Sequence, residues 1–204
     1  MGTPFNLPKS YVDARERLKS IEADMFKRAV DVPGVYLNLG SGKRILQGFV
    51  NIDRYTRLPS VLKADIYKLP MKPNTADGLF SAHSLEHLPI RRAKLALKDW
   101  HRVLKPGGTL LLSMPDIDMI MGVLLRGDLN ANSRRWFLYT LFGYQADMEC
   151  GDVEDPPVDP GQFHTCGYSK RTLVEEMRGI GYSIREAENY EGYGTPGVYI
   201  VAGK

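Results

Sequence analysis

Val35-Tyr36-Leu37-Asn38-Leu39-Gly40-Ser41-Gly42, continuing through Lys43-Arg44-Ile45-Leu46-Gln47-Gly48 into Phe49-Val50-Asn51-Ile52-Asp53, is the stretch on which the fold turns. A short apolar run breaks into a glycine pair, and a second apolar run follows and ends in an acid. This order reads as a strand, a tight glycine turn and a second strand. Glycine enters left-handed backbone conformations at no steric cost and lets a ligand approach the main chain. The spacing says something further. Asp53 stands only thirteen residues after Gly40, and Gly48 directly precedes the second strand. A full crossover with its helix and turns needs more chain than that, so the first connection carries a very short helix or none.

The pattern continues outward in both directions. A short strand is expected near Val61–Ala64, a turn at Leu69-Pro70-Met71 and a fourth strand over Asp77–Ser81. Arg91 to Leu104 reads as a helix with Leu95, Leu97, Trp100, Val103 and Leu104 as apolar positions, stopped by Lys105-Pro106-Gly107-Gly108. Thr109–Met114 is apolar throughout, the mark of a strand buried on both faces of a parallel sheet. Two helical stretches fill 117–144, split near Gly127-Asp128, and 145–163 is an acidic, proline-rich loop. Ser169 caps a helix running through Met177, which Gly179 and Gly181 close, and Tyr182–Ala187 and Val198–Ala202 are the last two strands. At the N-terminus, Ser10 is the expected cap of an amphipathic helix with its stripe at Tyr11, Ala14, Leu18, Ile21, Met25 and Ala29, ended by Pro33-Gly34. Lying ahead of the first strand, it should cross an edge of the sheet or cover a pocket. Strands alternating with helices define an α/β fold with a doubly wound, mostly parallel sheet.

The chain length of 204 residues fits one domain, 1–204, with an N-terminal helical region at 1–32 and an insertion at 117–168. The net charge is +3, and the longest basic groupings are pairs, Arg91-Arg92 and Arg134-Arg135 among them. That is not the clustered footprint of a nucleic-acid binder. No run of apolar residues is long enough to span a membrane, and no apolar leader opens the chain. Two cysteines, Cys150 and Cys166, suit a reducing, cytoplasmic setting.

Several ligand classes are excluded by single residues. A dinucleotide fingerprint needs a third glycine where Ile45 stands, and a phosphate loop is incompatible with Leu37 and Arg44. His83-Ser84-Leu85-Glu86-His87 matches the H-x-x-E-H pattern of some zinc peptidases. The strand-like run Leu79–Ala82 before it and Pro89 after it leave barely one helical turn, a poor platform for a metal, so none is expected. Two acids remain at strand ends. Asp53 is placed to accept both hydroxyls of a ribose, and Asp65, followed by Ile66, to meet an adenine amino group and face.

The ordered set of strand, glycine turn, Asp53, Asp65 and Arg102-Val103-Leu104-Lys105-Pro106-Gly107-Gly108 before an apolar strand resembles the class I S-adenosylmethionine-dependent methyltransferases. It is most similar to a small group, methyltransferase type 11-like, with a shortened first motif. The resemblance spans about 35–114, and implies a Rossmann-like methyltransferase fold with S-adenosyl-L-methionine as cofactor. It implies a cofactor site built from Asn38, Gly40, Ser41, Gly42, Asp53, Arg54, Asp65, Ile66, Ala82, His83 and Ser84. Gly40 and Gly42 line the methionine part, Asp53 holds ribose, Asp65 and Ile66 meet adenine, and Ala82 to Ser84 flank the reacting centre. With a helix dipole missing from the first turn, Lys43 or Arg44 is the candidate positive charge for the cofactor carboxylate. A hydroxyl acceptor calls for a general base, and histidine suits that work. His83 and His164 are the candidates. The implied acceptor is a small molecule or glycan, methylated on oxygen and covered by the 117–168 insertion, whose Trp136, Phe137, Tyr139 and Phe142 either wall the acceptor pocket or pack. The rival readings are a non-catalytic S-adenosylmethionine-binding protein and a zinc hydrolase using His83, Glu86 and His87.

Overall fold

A computed structural model describes residues 9–125, 130–143, 163–192 and 195–204. The elements run α1 (Lys9–Asp31), β1 (Tyr36–Leu39), β2 (Phe49–Asp53), β3 (Val61–Lys63), β4 (Ala76–Ala82), a single 3-10 turn (Leu85–His87), α2 (Ile90–Val103), β5 (Leu104–Pro115), α3 (Ile117–Leu125), α4 (Ala131–Phe142), α5 (Lys170–Ile180), β6 (Ser183–Gly192) and β7 (Thr195–Gly203). The seven strands form one sheet in the order β3-β2-β1-β4-β5-β7-β6. β1 to β5 are parallel, and β7 runs antiparallel between β5 and β6. The chain reverses its direction of growth between β1 and β4, and at such a switch point the carboxyl ends of the strands open a ligand crevice.

Alternation along the strands divides the core. Leu37, Leu39, Ile52, Leu79, Leu110, Leu112, Val198 and Ile200 face one side, under Leu97 and Trp100 of α2 and Leu173 and Met177 of α5. Tyr36, Phe49, Phe80, Leu111 and Tyr199 face the other, under Leu18, Met25 and Ala29 of α1. No helix forms between β1 and β2, as the short spacing requires. α1 lies over one face of the sheet, with its main contacts on the edge strand β6. Gly48 allows this closeness: its φ is +79°, and a Cβ there would stand 2.4 Å from the Ala29 carbonyl oxygen.

Three boundaries differ from the sequence reading. Ser10 lies inside α1 rather than ahead of it; first-turn amides need no intrahelical partner, so serine is tolerated there. The Lys105–Gly108 segment does not separate helix from strand. Leu104 already pairs with Ala76, and the segment is an excursion before Thr109 pairs with Gly78. β6 and β7 extend beyond the expected limits because they pair with each other over their whole length. Ser169 does cap α5, its hydroxyl accepting from the Thr172 amide, with Gly181 left-handed at the far end. The expected break at Gly127-Asp128 and nearly all of the acidic loop at 145–163 lie outside the described residues.

Candidate cofactor and acceptor site

The carboxyl ends of β1, β2 and β4 converge on a cavity of about 370 Å³. Its walls include Gly40, Ser41, Gly42, Asp53, Arg54, Asp65, Ile66, Ala82, His83 and Ser84, joined by Lys43, Arg44, Tyr55, Tyr67, His87, Leu88 and Arg92. Of the anticipated cofactor residues, only Asn38 is missing from these walls. It is buried in β1, its amide donating to the Arg44 carbonyl at 2.9 Å and to Asn51 Oδ1 at 2.8 Å. Its work is to tie the glycine turn to β2.

The turn after β1 is built around two left-handed glycines. Gly40 has φ +70°, and a Cβ there would overlap Ser84 at 2.3 Å, so the turn and the post-β4 segment touch because residue 40 has no side chain. Gly42, at φ +50°, has nothing within 4 Å of an added Cβ, and it borders the cavity. The Gly42 amide donates to Asp53 Oδ2 at 2.9 Å, while Tyr55 and Thr56 donate to Oδ1 at 2.7 and 2.9 Å. The acid is thus oriented before any ligand arrives. Ser41 Oγ is buried with no hydrogen-bond partner, although it belongs to the cavity wall. A buried hydroxyl in that condition needs a polar partner from outside the protein chain, water or ligand.

At the other end, Asp65 pairs with Arg54. The 65–71 segment is pinned by α2: Trp100 Nε1 donates to the Ile66 carbonyl at 2.7 Å, and Arg102 Nη1 to the Met71 carbonyl at 2.7 Å. Arg92 lies over the Tyr67 ring, 4.9 Å from its centroid. Arg44 is turned toward α1, 3.4 Å from Glu22 and stacked over Phe80, which leaves Lys43 as the cation of the pair better suited to a ligand carboxylate.

β4 is followed by His83, a non-glycine residue with φ +51°. Such a conformation is uncommon and is met at functional turns. His83 Nδ1 lies 3.3 Å from Glu86 Oε1, and its Nε2 lies 3.3 Å from the Tyr190 hydroxyl. Gly197 makes room for Tyr190, whose ring a Cβ there would meet at 2.8 Å. Burial acts to raise the Glu86 carboxyl, but His83, His87 and His164 act against it and hold it below the ordinary carboxylate range.

His164, the second candidate base, is not on the cavity wall. It lies in an adjoining cleft of about 220 Å³ with Glu86, Ile117, Thr140, Phe142 and Cys166. Its ring meets that of His87, a cavity residue, with centroids 4.8 Å apart. Burial lowers its imidazole below the usual value. Phe142 borders this cleft, whereas Phe137 is fully buried with Ile120, Val123 and Leu124 and serves as packing. Cys166 is a free thiol, pushed up to about 12 by burial and by the nearby Glu86 charge, so it is no ready nucleophile. Glu86 and Tyr190, with the wall residues Tyr55, Tyr67, His87, Leu88 and Arg92, were not expected at the cofactor site from sequence. Only the H-x-x-E-H pattern hinted at Glu86.

The fold and the glycine-acid cavity define a class: a Rossmann-like domain with a crevice at its switch point lined by glycines and acids. The model of the methyltransferase domain family matches residues 45–112. Solved structures agree in fold. A S-adenosylmethionine-dependent methyltransferase from Methanosarcina mazei superposes with a TM-score of 0.61 at 17% identity, covering 88% of this chain and 96% of that one. The 1,6-didemethyltoxoflavin-N1-methyltransferase of Burkholderia thailandensis, with bound 1,6-didemethyltoxoflavin and S-adenosylhomocysteine, gives 0.58 at 14% identity over 100% of this chain and 93% of its own. The magnesium protoporphyrin IX methyltransferase of Synechocystis, also with S-adenosylhomocysteine, gives 0.56 at 14% over 100% and 90%. No curated protein matches the sequence. The chain thus has the fold of the S-adenosylmethionine-dependent methyltransferases and is similar to their methyltransferase domain over residues 45–112. Among the described residues, no helix is long and apolar enough to cross a membrane.

Proposed function

We propose that this enzyme methylates an oxygen of a small-molecule or glycan acceptor, with His83 as general base. The observation that carries the proposal is the placement of His83 at the cavity rim, on a strained turn, with the buried Glu86 carboxylate behind its Nδ1. A carboxylate at one ring nitrogen holds the imidazole in the tautomer whose other nitrogen can take a proton. Tyr190 at Nε2 marks the side from which an acceptor hydroxyl would approach.

The residues fit the cofactor. Ser41 Oγ and the open side of Gly42 suit the amino-acid part, and Asp53 the ribose. Asp65 and Ile66 suit the adenine, and Ala82 to Ser84 the neighbourhood of the reacting centre. When bound, S-adenosylmethionine supplies a methyl group activated by its sulfonium. The protein's part is to align the acceptor oxygen and exclude water. The cleft between α3, α4 and the 163–167 segment adjoins His83 through Glu86 and His87, and is the proposed acceptor side, with the 117–168 insertion as its cover. Low cysteine usage supports cytoplasmic work.

The test is a panel of phenols, sugars, glycosides and amines, with S-adenosylhomocysteine release as readout. Turnover of hydroxyl acceptors is expected, and His83→Asn should lower kcat by roughly 10²–10⁴-fold with the S-adenosylhomocysteine Kd unchanged. Turnover confined to amines, or an undiminished kcat in the variant, refutes the assignment.

A further inference from the structure

Between the cofactor cavity and the adjoining cleft lies a cluster of which the methyl-transfer reading uses only Glu86, as the partner of His83 Nδ1. Glu86, His87 and His164 bring one carboxylate oxygen and two imidazole nitrogens within 4.8 Å of one another. The set differs from the sequence pattern His83-x-x-Glu86-His87, since its third member comes from beyond the acidic loop.

The surroundings of these three residues are those of a ligand set. His87 Nδ1 lies 3.1 Å from the Phe163 carbonyl, and His164 Nδ1 lies 2.7 Å from the Thr140 carbonyl. A carbonyl only accepts, so each Nδ1 carries the proton and each Nε2 keeps its lone pair. Metal-bound histidines are oriented in this way, one nitrogen donating to a backbone carbonyl and the other facing the ion. Glu86 is 1% exposed; its Oε1 lies 3.3 Å from His83 Nδ1, and its Oε2 has no hydrogen-bond partner among the described residues. A buried carboxylate with an oxygen left without a donor is costly unless a cation compensates it.

The main chain holds the three together. The Thr165 and Cys166 amides both donate to the Glu86 carbonyl, at 2.8 and 3.2 Å, and Thr165 Oγ1 donates to the His87 carbonyl at 3.0 Å. The 3-10 turn and the 163–167 segment are thereby locked side by side, with the His87 Nδ1 bond to the Phe163 carbonyl as a further tie.

We infer that Glu86, His87 and His164 form a binding site for a divalent transition-metal ion of the zinc class. Two imidazoles and one carboxylate are a zinc donor set, and three protein ligands leave a fourth position for water or an acceptor atom. The ion would join the post-β4 turn to the exit of the acidic loop and present that open position at the boundary of cavity and cleft. The inference does not depend on oxygen being the methylated atom.

The experiment is titration of the chelator-stripped full-length protein with Zn²⁺ against a chromophoric competitor, with thermal unfolding alongside. One equivalent is expected to bind and to raise the melting temperature, because an ion bound only by the native state stabilises it. Glu86→Gln, His87→Ala and His164→Ala should each weaken binding by at least about 100-fold, exceeding the 10–100-fold losses seen for outer-shell changes. A variant lacking both thiols, Cys150→Ser/Cys166→Ser, should bind as the wild type does. Absence of saturable binding to folded wild-type protein overturns the inference. So does affinity unchanged in folded His164→Ala, or affinity lost with the thiols.

Discussion

Replacing Asp53 by alanine should weaken S-adenosylhomocysteine binding by about 1.5–3 kcal/mol, the range for a hydrogen bond to a charged group, which is roughly 10- to 150-fold in Kd. The structure explains why the loss should be large and local. Both carboxylate oxygens are preset by the Gly42, Tyr55 and Thr56 amides, so a ribose finds its acceptor already oriented and spends little on ordering it. The same three bonds create a second effect, since Asp53→Ala also loosens the glycine turn. A double cycle separates them: calorimetric titration of wild type and variant with S-adenosylhomocysteine and with its 2′,3′-dideoxy analogue. The wild type should lose most of the 1.5–3 kcal/mol when the hydroxyls are removed, and Asp53→Ala should be nearly indifferent to them. Equal sensitivity of both proteins to the hydroxyls would refute the ribose assignment, even if the variant bound more weakly overall.

Two further substitutions examine the scaffold. Gly48→Ala should destabilise the protein by about 2–4 kcal/mol, adding left-handed strain to a 2.4 Å overlap with the Ala29 carbonyl. It should lower the denaturant midpoint, and an unchanged midpoint would show that α1 does not pack where it is described. Asp77 accepts from Lys105 and the Val35 amide, and these bonds hold its carboxyl below the usual value. Its contribution is therefore present above the unfolded value near 4 and lost as pH falls through the folded one. Because Asp77 and Lys105 are each about a third exposed or more, Asp77→Asn should cost only about 1 kcal/mol at neutral pH. The gap should close below about pH 4, as read from urea melts at several pH values.

The parts of this molecule that could be read from sequence are those whose cause is local. The glycine turn, the acids at the ends of β2 and after β3, and the Ser169 cap each follow from a few adjacent residues. The missing first crossover helix followed from counting residues between Gly40 and Asp53. What stayed hidden depends on distant partners. Leu104 begins β5 only because Ala76 pairs with it, and β6 runs to Gly192 because β7 returns beside it. Asn38 sits within the motif yet is consumed by Arg44 and Asn51. Tyr190 reaches His83 from more than a hundred residues away, and Glu86 meets His164 only through the fold. Local pattern gave these side chains no address.

The most direct test is calorimetric titration of the purified protein with S-adenosylmethionine and S-adenosylhomocysteine. The account predicts that both bind, at about one equivalent per chain, and that Gly42→Leu, which fills the open side of the turn with a side chain, abolishes both while the protein stays folded. Folded wild-type protein that binds neither ligand, or a Gly42→Leu variant that binds as well as the wild type, would contradict it.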